Sequence, residues 1–117
     1  MSQMNLGSKA FIANTDLEAF RRVKLTTGTG NKVDYANAGE ACIGMTAAKA
    51  LKDDFVTVDL KYTGQTFKAV ALDAIVAGGN FYGAIDGKVS SVVNGAIMGK
   101  VLEASSSDLE VIEILFV

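Results

Sequence analysis

Short runs of alternating apolar and polar residues recur about every ten residues, and turn-forming residues separate them. The clearest run, residues 55–61, places Val56, Val58 and Leu60 on one face and Thr57, Asp59 and Lys61 on the other. A period of two residues is typical of a half-buried β-strand. The chain has 12 glycines and no proline, a composition that suits strands joined by tight turns. The sequence therefore predicts an all-β protein.

Two dipeptides in the second half of the chain have the composition of hairpin turns. Asp86-Gly87 and Asn94-Gly95 each lie between two such runs. A type I′ turn requires positive φ at both central residues, which Asn, Asp and Gly tolerate best. Two such turns in succession predict a meander of three short strands. Because about eight or nine short strands would expose many edges, a small compact β-barrel or sandwich is favoured.

A weak internal repeat accompanies this pattern. Residues 39–60 align with residues 94–115 without a gap, and each copy reads as strand, loop, acidic turn and strand. Small residues match readily, so the pattern is compatible with duplication and with chance. The identical pairs are Ala41/Ala96, Gly44/Gly99, Asp53/Asp108, Val56/Val111 and Leu60/Leu115.

The N-terminal residues have a different pattern. Thr15-Asp16-Leu17-Glu18 matches the capping box, in which a Thr hydroxyl and a Glu side chain satisfy backbone amides at a helix start. This predicts one or two helical turns over about Asp16 to Phe20, and no other helix. We expect residues 1–19 to form an N-terminal arm and residues 20–117 to form the β-barrel domain.

This arm supplies the candidate partner-binding residues. Its apolar pairs cannot be buried by an isolated tail, and basic residues beside them give a local positive surplus in an acidic chain. The alternatives are a frayed terminus, packing of the apolar pairs on the chain's own barrel, and a solvated strand edge for the basic residues. The predicted apolar anchors are Phe11, Ile12, Leu17 and Phe20, with Arg21 and Arg22 beside them.

Composition excludes several classes of function. The chain has no histidine and a single cysteine, Cys42, so it cannot build a histidine-dependent catalytic relay, an internal disulfide or a cysteine zinc site. Apolar neighbours predict that Cys42 is buried and inert. A net charge of −2 gives no global field for binding nucleic acid. No apolar run reaches the roughly 18 residues of a membrane span. We expect no nucleic-acid or membrane partner.

Candidate chemical sites are weak. Asp53 and Asp54 with Glu40 would serve a carboxylate-dependent hydrolase, but adjacent acids in a loop more simply solvate a turn. A small ligand-binding barrel would use Phe81, Tyr82 and Tyr62 to line a cavity, although aromatics in short strands usually pack in cores. The glycine-rich stretches lack the lysine and helix of a phosphate loop. The sequence predicts no catalytic residue, cofactor or metal.

A succession of motifs resembles a known family. FRRVKL at residues 20–25, AGEACIGMT at 38–46, FVTVDL at 55–60, AGGNFYGAIDGKVS at 77–90 and GKVLEAS at 99–105 resemble the small capsid decoration, or cement, proteins of tailed bacteriophages. The resemblance covers residues 20–117. It implies a non-enzymatic virion protein, made in the host cytoplasm, that stabilises the outer surface of the capsid. It further implies a homo-oligomer, most often a trimer, that bridges major capsid protein subunits. A tail or adaptor component of the virion is the other structural interpretation.

Overall fold

The computed structural model describes residues 7–28, 30–61, 65–106 and 110–117. These residues form ten short strands and one 3₁₀ turn, with no α-helix, as an all-β prediction requires. The strands are β1 (Ser8–Ala13), β2 (Arg22–Leu25), β3 (Lys32–Tyr35), β4 (Gly44–Thr46), β5 (Phe55–Leu60), β6 (Phe67–Val70), β7 (Asn80–Gly83), β8 (Val89–Ser90), β9 (Gly99–Val101) and β10 (Val111–Phe116); the 3₁₀ turn is Ile85–Gly87.

The strands build a closed barrel and a curled sheet. The barrel has the order β1-β3-β2-β4-β5 and closes between β5 and β1. Its neighbouring strands are antiparallel except for the parallel pair β1–β3. The second sheet has the order β6-β10-β9-β7-β8, and a single parallel bridge from Ala71 to Val89 joins its two ends. Curling and closure leave few free strand edges.

The two halves of the chain repeat one topology. Read around the barrel, the order β1-β5-β4-β2-β3 corresponds to β6-β10-β9-β7-β8 in the second sheet. The parallel pair β1–β3 corresponds to the bridge between Ala71 and Val89. An antiparallel bridge outside the strands, Leu17 to Ala50, recurs as Ile75 to Ser105. We refer to residues 7–61 as the first half and to residues 65–117 as the second half.

Hydrogen bonds between loops and strands follow the same repeat. The Ile43 amide donates to the Val23 carbonyl at 2.9 Å, and the Met98 amide donates to the Phe81 carbonyl at 3.0 Å. The backbone of Phe20 has a φ of +61°, and the equivalent Gly78 has a φ of +80°. The left-handed region is unusual for a bulky residue, so its recurrence at equivalent positions supports a duplicated fold.

The repeat is more extensive than the sequence alignment indicates. Its offset is 55 residues between β4 and β9, as predicted, but 56 residues between β5 and β10. One inserted residue therefore breaks the ungapped alignment. The structural equivalent of Val56 is Ile112, which is buried as Val56 is, whereas Val111 is exposed.

The described residues form two hydrophobic cores, one centred on each half, and Met45 of the first half packs into the second core. In the second half, the Phe116 ring makes edge-to-face contacts with Phe67 and Phe81 at centroid distances of 5.2 and 5.7 Å. Burial of these side chains is the main stabilising contribution to each half. The first core contains Phe11, Ala13, Leu17, Val23, Val33, Ala50, Val56 and Val58; the second contains Met45, Phe67, Ala69, Ala71, Ile75, Phe81, Val89, Val101, Ile112 and Ile114.

Residues 1–19, which we expect to form an arm, include a strand of the barrel. The strand β1, within the expected arm, pairs along its length with β5 and completes the barrel. Phe11 and Ala13 alternate into the first core, whereas Ile12 is half-buried. The physical reason is that a closed barrel needs a strand between β5 and β3, and residues 8–13 supply it. Residues 1–6 lie outside the described part of the chain.

Two local predictions are wrong. Residues 16–20 do not form a helix, because Leu17 bridges to Ala50 and Phe20 has a left-handed backbone. The Thr15 hydroxyl donates to the Asp16 carbonyl instead of capping a helix. Asn94-Gly95 does not form a hairpin either, because β8 and β9 both pair with β7 and not with each other. By contrast, Asp86-Gly87 connects β7 and β8 with positive φ at both residues, as predicted.

Candidate functional site

The six predicted partner-binding residues do not share one exposed surface. Phe11 and Leu17 are buried in the first core, and Arg22 has no exposed surface. The other three, Ile12, Phe20 and Arg21, are half-buried. Partner binding by these residues remains a prediction, but the solvated strand edge is wrong for Arg22.

Arg22 holds the two halves together. Its side chain begins on β2 in the first half, and its Nε donates to the Lys88 carbonyl at 3.0 Å. The Nη2 atom donates to the Ala84 carbonyl at 2.7 Å in the second half and to the Ala36 carbonyl at 2.8 Å in the first. A guanidinium has five donors in a planar fork, which allows one side chain to serve several carbonyls. Further acceptors are the carbonyls of Asn37 and Glu40.

The pocket that holds this guanidinium is built to its shape. Gly83 lies directly against it, and a Cβ at that position would approach Nη1 to 2.8 Å. Burial lowers the pKa of the Arg22 guanidinium from its ordinary value. Because its acceptors come from residues far apart in sequence, no local motif identifies Arg22 as a buried residue. The role of Arg22 is therefore structural.

The residues near Arg22 do not form a nucleophilic site. Cys42 is buried, as predicted, and burial raises the pKa of its thiol. Glu40 receives a hydrogen bond from Lys24 at 2.6 Å and another from the Asn37 amide at 2.8 Å. These bonds lower the pKa of the Glu40 carboxyl. The inertness of Cys42 stays a prediction.

The three carboxylates of the hydrolase hypothesis have different partners. Glu40 is paired with Lys24, whereas Asp53 lies 3.9 Å from Lys32, and Asp53 and Asp54 are both exposed. Within residues 7–28, 30–61, 65–106 and 110–117, no three His, Cys, Asp or Glu side chains are grouped so that they could hold a metal ion. These carboxylates show no convergent arrangement for acid–base catalysis.

The aromatic residues of the ligand-cavity hypothesis are packed. Phe81 is fully buried against Phe116, and Tyr82 is buried as well. Tyr62 lies outside the described residues. The described cavities include two open surface depressions of about 280 and 260 Å³, small for a ligand site. Both adjoin the same loop, residues 91–97.

This loop between β8 and β9 carries an exposed apolar surface. Every residue from Ser91 to Ile97 is exposed, and Val92 and Val93 keep 65% and 72% of their surface. Residues 89–99 contain no charged side chain, a sequence signal that the hairpin interpretation overlooked. Contiguous exposed apolar surface marks interaction sites in soluble proteins. We define the apolar loop face as Ile85, Val92, Val93, Ile97 and Val117, which lie on the loop or beside it.

Asp73 fixes the start of this loop. Its carboxylate accepts a hydrogen bond from the Ser90 hydroxyl at 2.6 Å and bonds from the Ser91 amide and hydroxyl, each at 3.0 Å. Desolvation opposes ionisation, but the three hydrogen bonds together outweigh it and lower the pKa of Asp73. The apolar loop face is therefore presented on an anchored loop.

Comparison with known proteins identifies the architecture. A search of solved structures finds the head fiber gp8.5 N base in bacteriophage phi29, with a TM-score of 0.80. The match covers 94% of this chain and 92% of that chain at 16% sequence identity. The two share a fold. At this identity the similarity concerns the fold alone.

No protein-family model matches the chain, and no curated protein matches it. The described residues contain no helix with the length and apolar character needed to cross a membrane.

Proposed function

We propose that this chain is a non-enzymatic structural protein of a bacteriophage head. The observation that carries the proposal is the shared fold with the phi29 head fiber base over almost the whole of both chains. The motifs at residues 20–25, 38–46, 55–60 and 77–90 independently resemble capsid decoration proteins. Two lines of evidence, one from backbone geometry and one from sequence, thus favour the same part of the virion.

The surface of the protein supports an attached role. Large apolar side chains are exposed on both halves, including Phe55, Val76, Val93 and Val117, each more than two-thirds exposed. Contiguous exposed apolar surface marks interaction sites, and the apolar loop face is the candidate for such a site. The described carboxylates and the single thiol offer no assembled catalytic group.

In this proposal the protein lies on the outer surface of the capsid. It is made in the host cytoplasm, binds the major capsid protein, bridges neighbouring subunits and associates into a homo-oligomer, with a trimer favoured. Ile12, Phe20 and Arg21, the partly exposed members of the predicted set, contribute to partner binding. A second candidate, a base that attaches a fiber to the head, is favoured by the name of the phi29 protein with the same fold.

The test uses shells assembled from the major capsid protein encoded in the same genome. The purified protein is mixed with these shells and sedimented, and the bound fraction is measured against concentration. We expect saturable binding with a fixed number of copies per shell. The proposal is overturned if the protein binds neither mature shells nor procapsid shells whose binding sites for it are unoccupied.

Thermal disruption of the shells distinguishes the two candidates. A decoration protein that bridges subunits raises the temperature at which shells break, because it binds the intact lattice and not the dissociated subunits. A fiber base that contacts one subunit binds intact shells and dissociated subunits alike, and it leaves that temperature nearly unchanged. The variant that tests the partner-binding residues is Ile12→Ser with Arg21→Ser. We expect it to weaken shell binding while the protein stays folded.

A further inference from the structure

The contact between the two halves joins a loop of the first half to a turn of the second half. The turn between β7 and β8 in the second half packs against the start of the loop between β3 and β4 in the first half, at Ala36 and Asn37. The Gly87 amide donates to the Ala36 carbonyl at 3.1 Å, and the Asp86 amide donates to the Asn37 side-chain oxygen at 3.2 Å. The Gly39 amide also donates to the Gly83 carbonyl at 3.3 Å. Ala36 and Cys42 are buried.

The duplicated fold provides the same two surfaces a second time. The Thr26 amide donates to the Lys32 carbonyl at 2.9 Å, as the Ala84 amide does to the Lys88 carbonyl, so the β2–β3 turn is equivalent to the β7–β8 turn. The loop between β8 and β9 is likewise equivalent to the loop between β3 and β4. The equivalent of Ala36 is therefore Val92.

The second copies, which are the loop between β8 and β9 and the β2–β3 turn, are more exposed than the first copies. Ala36 is fully buried, whereas its equivalent Val92 is 65% exposed. A Cβ on Gly87 would lie 2.5 Å from the Arg22 carbonyl oxygen, whereas a Cβ on Gly30, in the equivalent turn, would meet nothing within 4 Å. The loop between β8 and β9 therefore meets the first half only where Asn94 and Gly95 lie against Gly39, and the β2–β3 turn has open space at Gly30.

We propose that the apolar loop face binds a second copy of this chain through that copy's β2–β3 turn. The contact would repeat between copies the packing that already joins the two halves within one copy. It is heterologous, because the loop of one copy meets the turn of the next. The proposal deepens the proposed function, resting on its homo-oligomer, and assigns the surfaces that make it.

The chemistry of the two surfaces fits this occupant. The loop is apolar and uncharged. The β2–β3 turn follows Leu25, which is 51% exposed, and it contains the uncharged residues Thr27, Gly30 and Asn31. Residues 7–61 carry eight basic and seven acidic side chains, whereas residues 65–117 carry three basic and six acidic ones. The first half of one copy and the second half of another therefore attract each other.

The first test changes the exposed loop. Val92→Asp places a charge where we expect an apolar contact, and Val76→Asp is the matched control because Val76 is 72% exposed on a different loop. Sedimentation equilibrium should show at least about a tenfold rise in the dissociation constant for self-association with Val92→Asp and little change with Val76→Asp. Equal self-association of Val92→Asp and wild type would overturn the proposal.

The second test locates both surfaces by disulfide formation between copies. Asn31 and Val92 are the equivalents of Gly87 and Ala36, which are hydrogen-bonded to each other. A mixture of Asn31→Cys and Val92→Cys proteins should form a cross-linked dimer under mild oxidation, with buried Cys42 uninvolved. Asn31→Cys mixed with Val76→Cys is the control. Preferential cross-linking of Val92→Cys to itself would contradict the heterologous contact.

Shell binding by Val92→Asp separates this inference from the proposed function. A variant that loses self-association and still binds shells supports both. A variant that stays oligomeric but no longer binds shells would show that the loop faces the capsid, which overturns the inference and leaves the function intact. A wild-type protein that cross-links as expected but never binds shells would support the inference and contradict the function.

Discussion

Arg22 is the single side chain on which the packing of the two halves depends most. It serves carbonyls from both halves, among them Ala36 and Ala84, without any exposed surface. We predict that Arg22→Met lowers the free energy of unfolding by more than about 3 kcal/mol, because several buried carbonyls lose their donors. Urea denaturation measures the change.

The adjacent Arg21 provides the control for this prediction. It is half-buried and donates through Nη1 to one carbonyl, that of Asp86. Arg21→Met should cost about 1 kcal/mol. Equal losses for the two variants would mean that Arg22 does not hold the halves together. The sequence places both residues in one basic cluster and cannot distinguish them, because the acceptors of Arg22 lie in distant loops.

Asp73 makes the anchoring of the apolar loop face dependent on pH. Its pKa in the folded protein is below the ordinary Asp value of about 3.9, since Ser90 and Ser91 donate to the ionised form. The stabilisation is present above that ordinary value and is lost as the pH falls through the lower folded pKa. Asp73→Asn should therefore be less stable than wild type at pH 7, and the difference should shrink below about pH 4.

Thermal unfolding of both proteins between pH 7 and pH 2 checks this expectation. Glu103→Gln is the control for the replacement of an exposed carboxylate by an amide. A constant difference between Asp73→Asn and wild type across the range would show that ionisation of Asp73 does not hold the loop.

At the scale of elements, the equivalent strands β4 and β9 should each require glycine at the same position. A Cβ on Gly44 would collide with the Asp59 carbonyl oxygen in β5, and a Cβ on the equivalent Gly99 would collide with the Leu115 carbonyl oxygen in β10. We predict that Gly44→Ala and Gly99→Ala each destabilise the protein by more than about 3 kcal/mol, because the backbone must move.

Gly78→Ala is the matched comparison, because its φ of +80° is strained for alanine while the surrounding space is open. It should cost about 1–2 kcal/mol. Chemical denaturation of the three variants gives the ranking. A Gly78→Ala loss as large as the other two would refute the steric explanation.

The strand β1 gives a second prediction at this scale. Phe11 is buried between β1 and the rest of the barrel, whereas Phe55, on the paired strand β5, is 75% exposed. Phe11→Ala should lower the free energy of unfolding by about 3–5 kcal/mol through the cavity that it leaves. Phe55→Ala should change it by less than about 1 kcal/mol. Thermal denaturation measures both, and an unchanged melting temperature for Phe11→Ala would restore the interpretation of residues 1–19 as an arm.

The sequence predicts the elements that have a local pattern. It does not predict the elements whose structure depends on partners distant in the sequence. The alternation of Val56 and Val58 identifies β5 with its bounds almost correct, and Asp86-Gly87 identifies the turn between β7 and β8. The local pattern does not identify β1, because its partners lie in β3 and β5. Dipeptide preference predicts a hairpin at Asn94-Gly95, because it does not include the anchoring of Ser90 and Ser91 by Asp73.

At the scale of the whole molecule, duplication explains both the architecture and the candidate site. The all-β class follows from sequence, and the repeat at residues 39–60 and 94–115 indicates part of the duplication. The exposed loop could not be identified in this way, because the burial of Ala36 and the exposure of its equivalent Val92 depend on what packs against each of them. Whether a loop is covered depends on how the two halves pack together, and a local sequence pattern does not determine that packing.

Electron cryomicroscopy of shells incubated with the purified protein tests the central claim most directly. We predict density that fits the barrel and the curled sheet on the outer face of the shell, in contact with the major capsid protein. Density confined to the shell interior or to the tail vertex, or bare shells at saturating protein concentration, would contradict a structural role on the outside of the head.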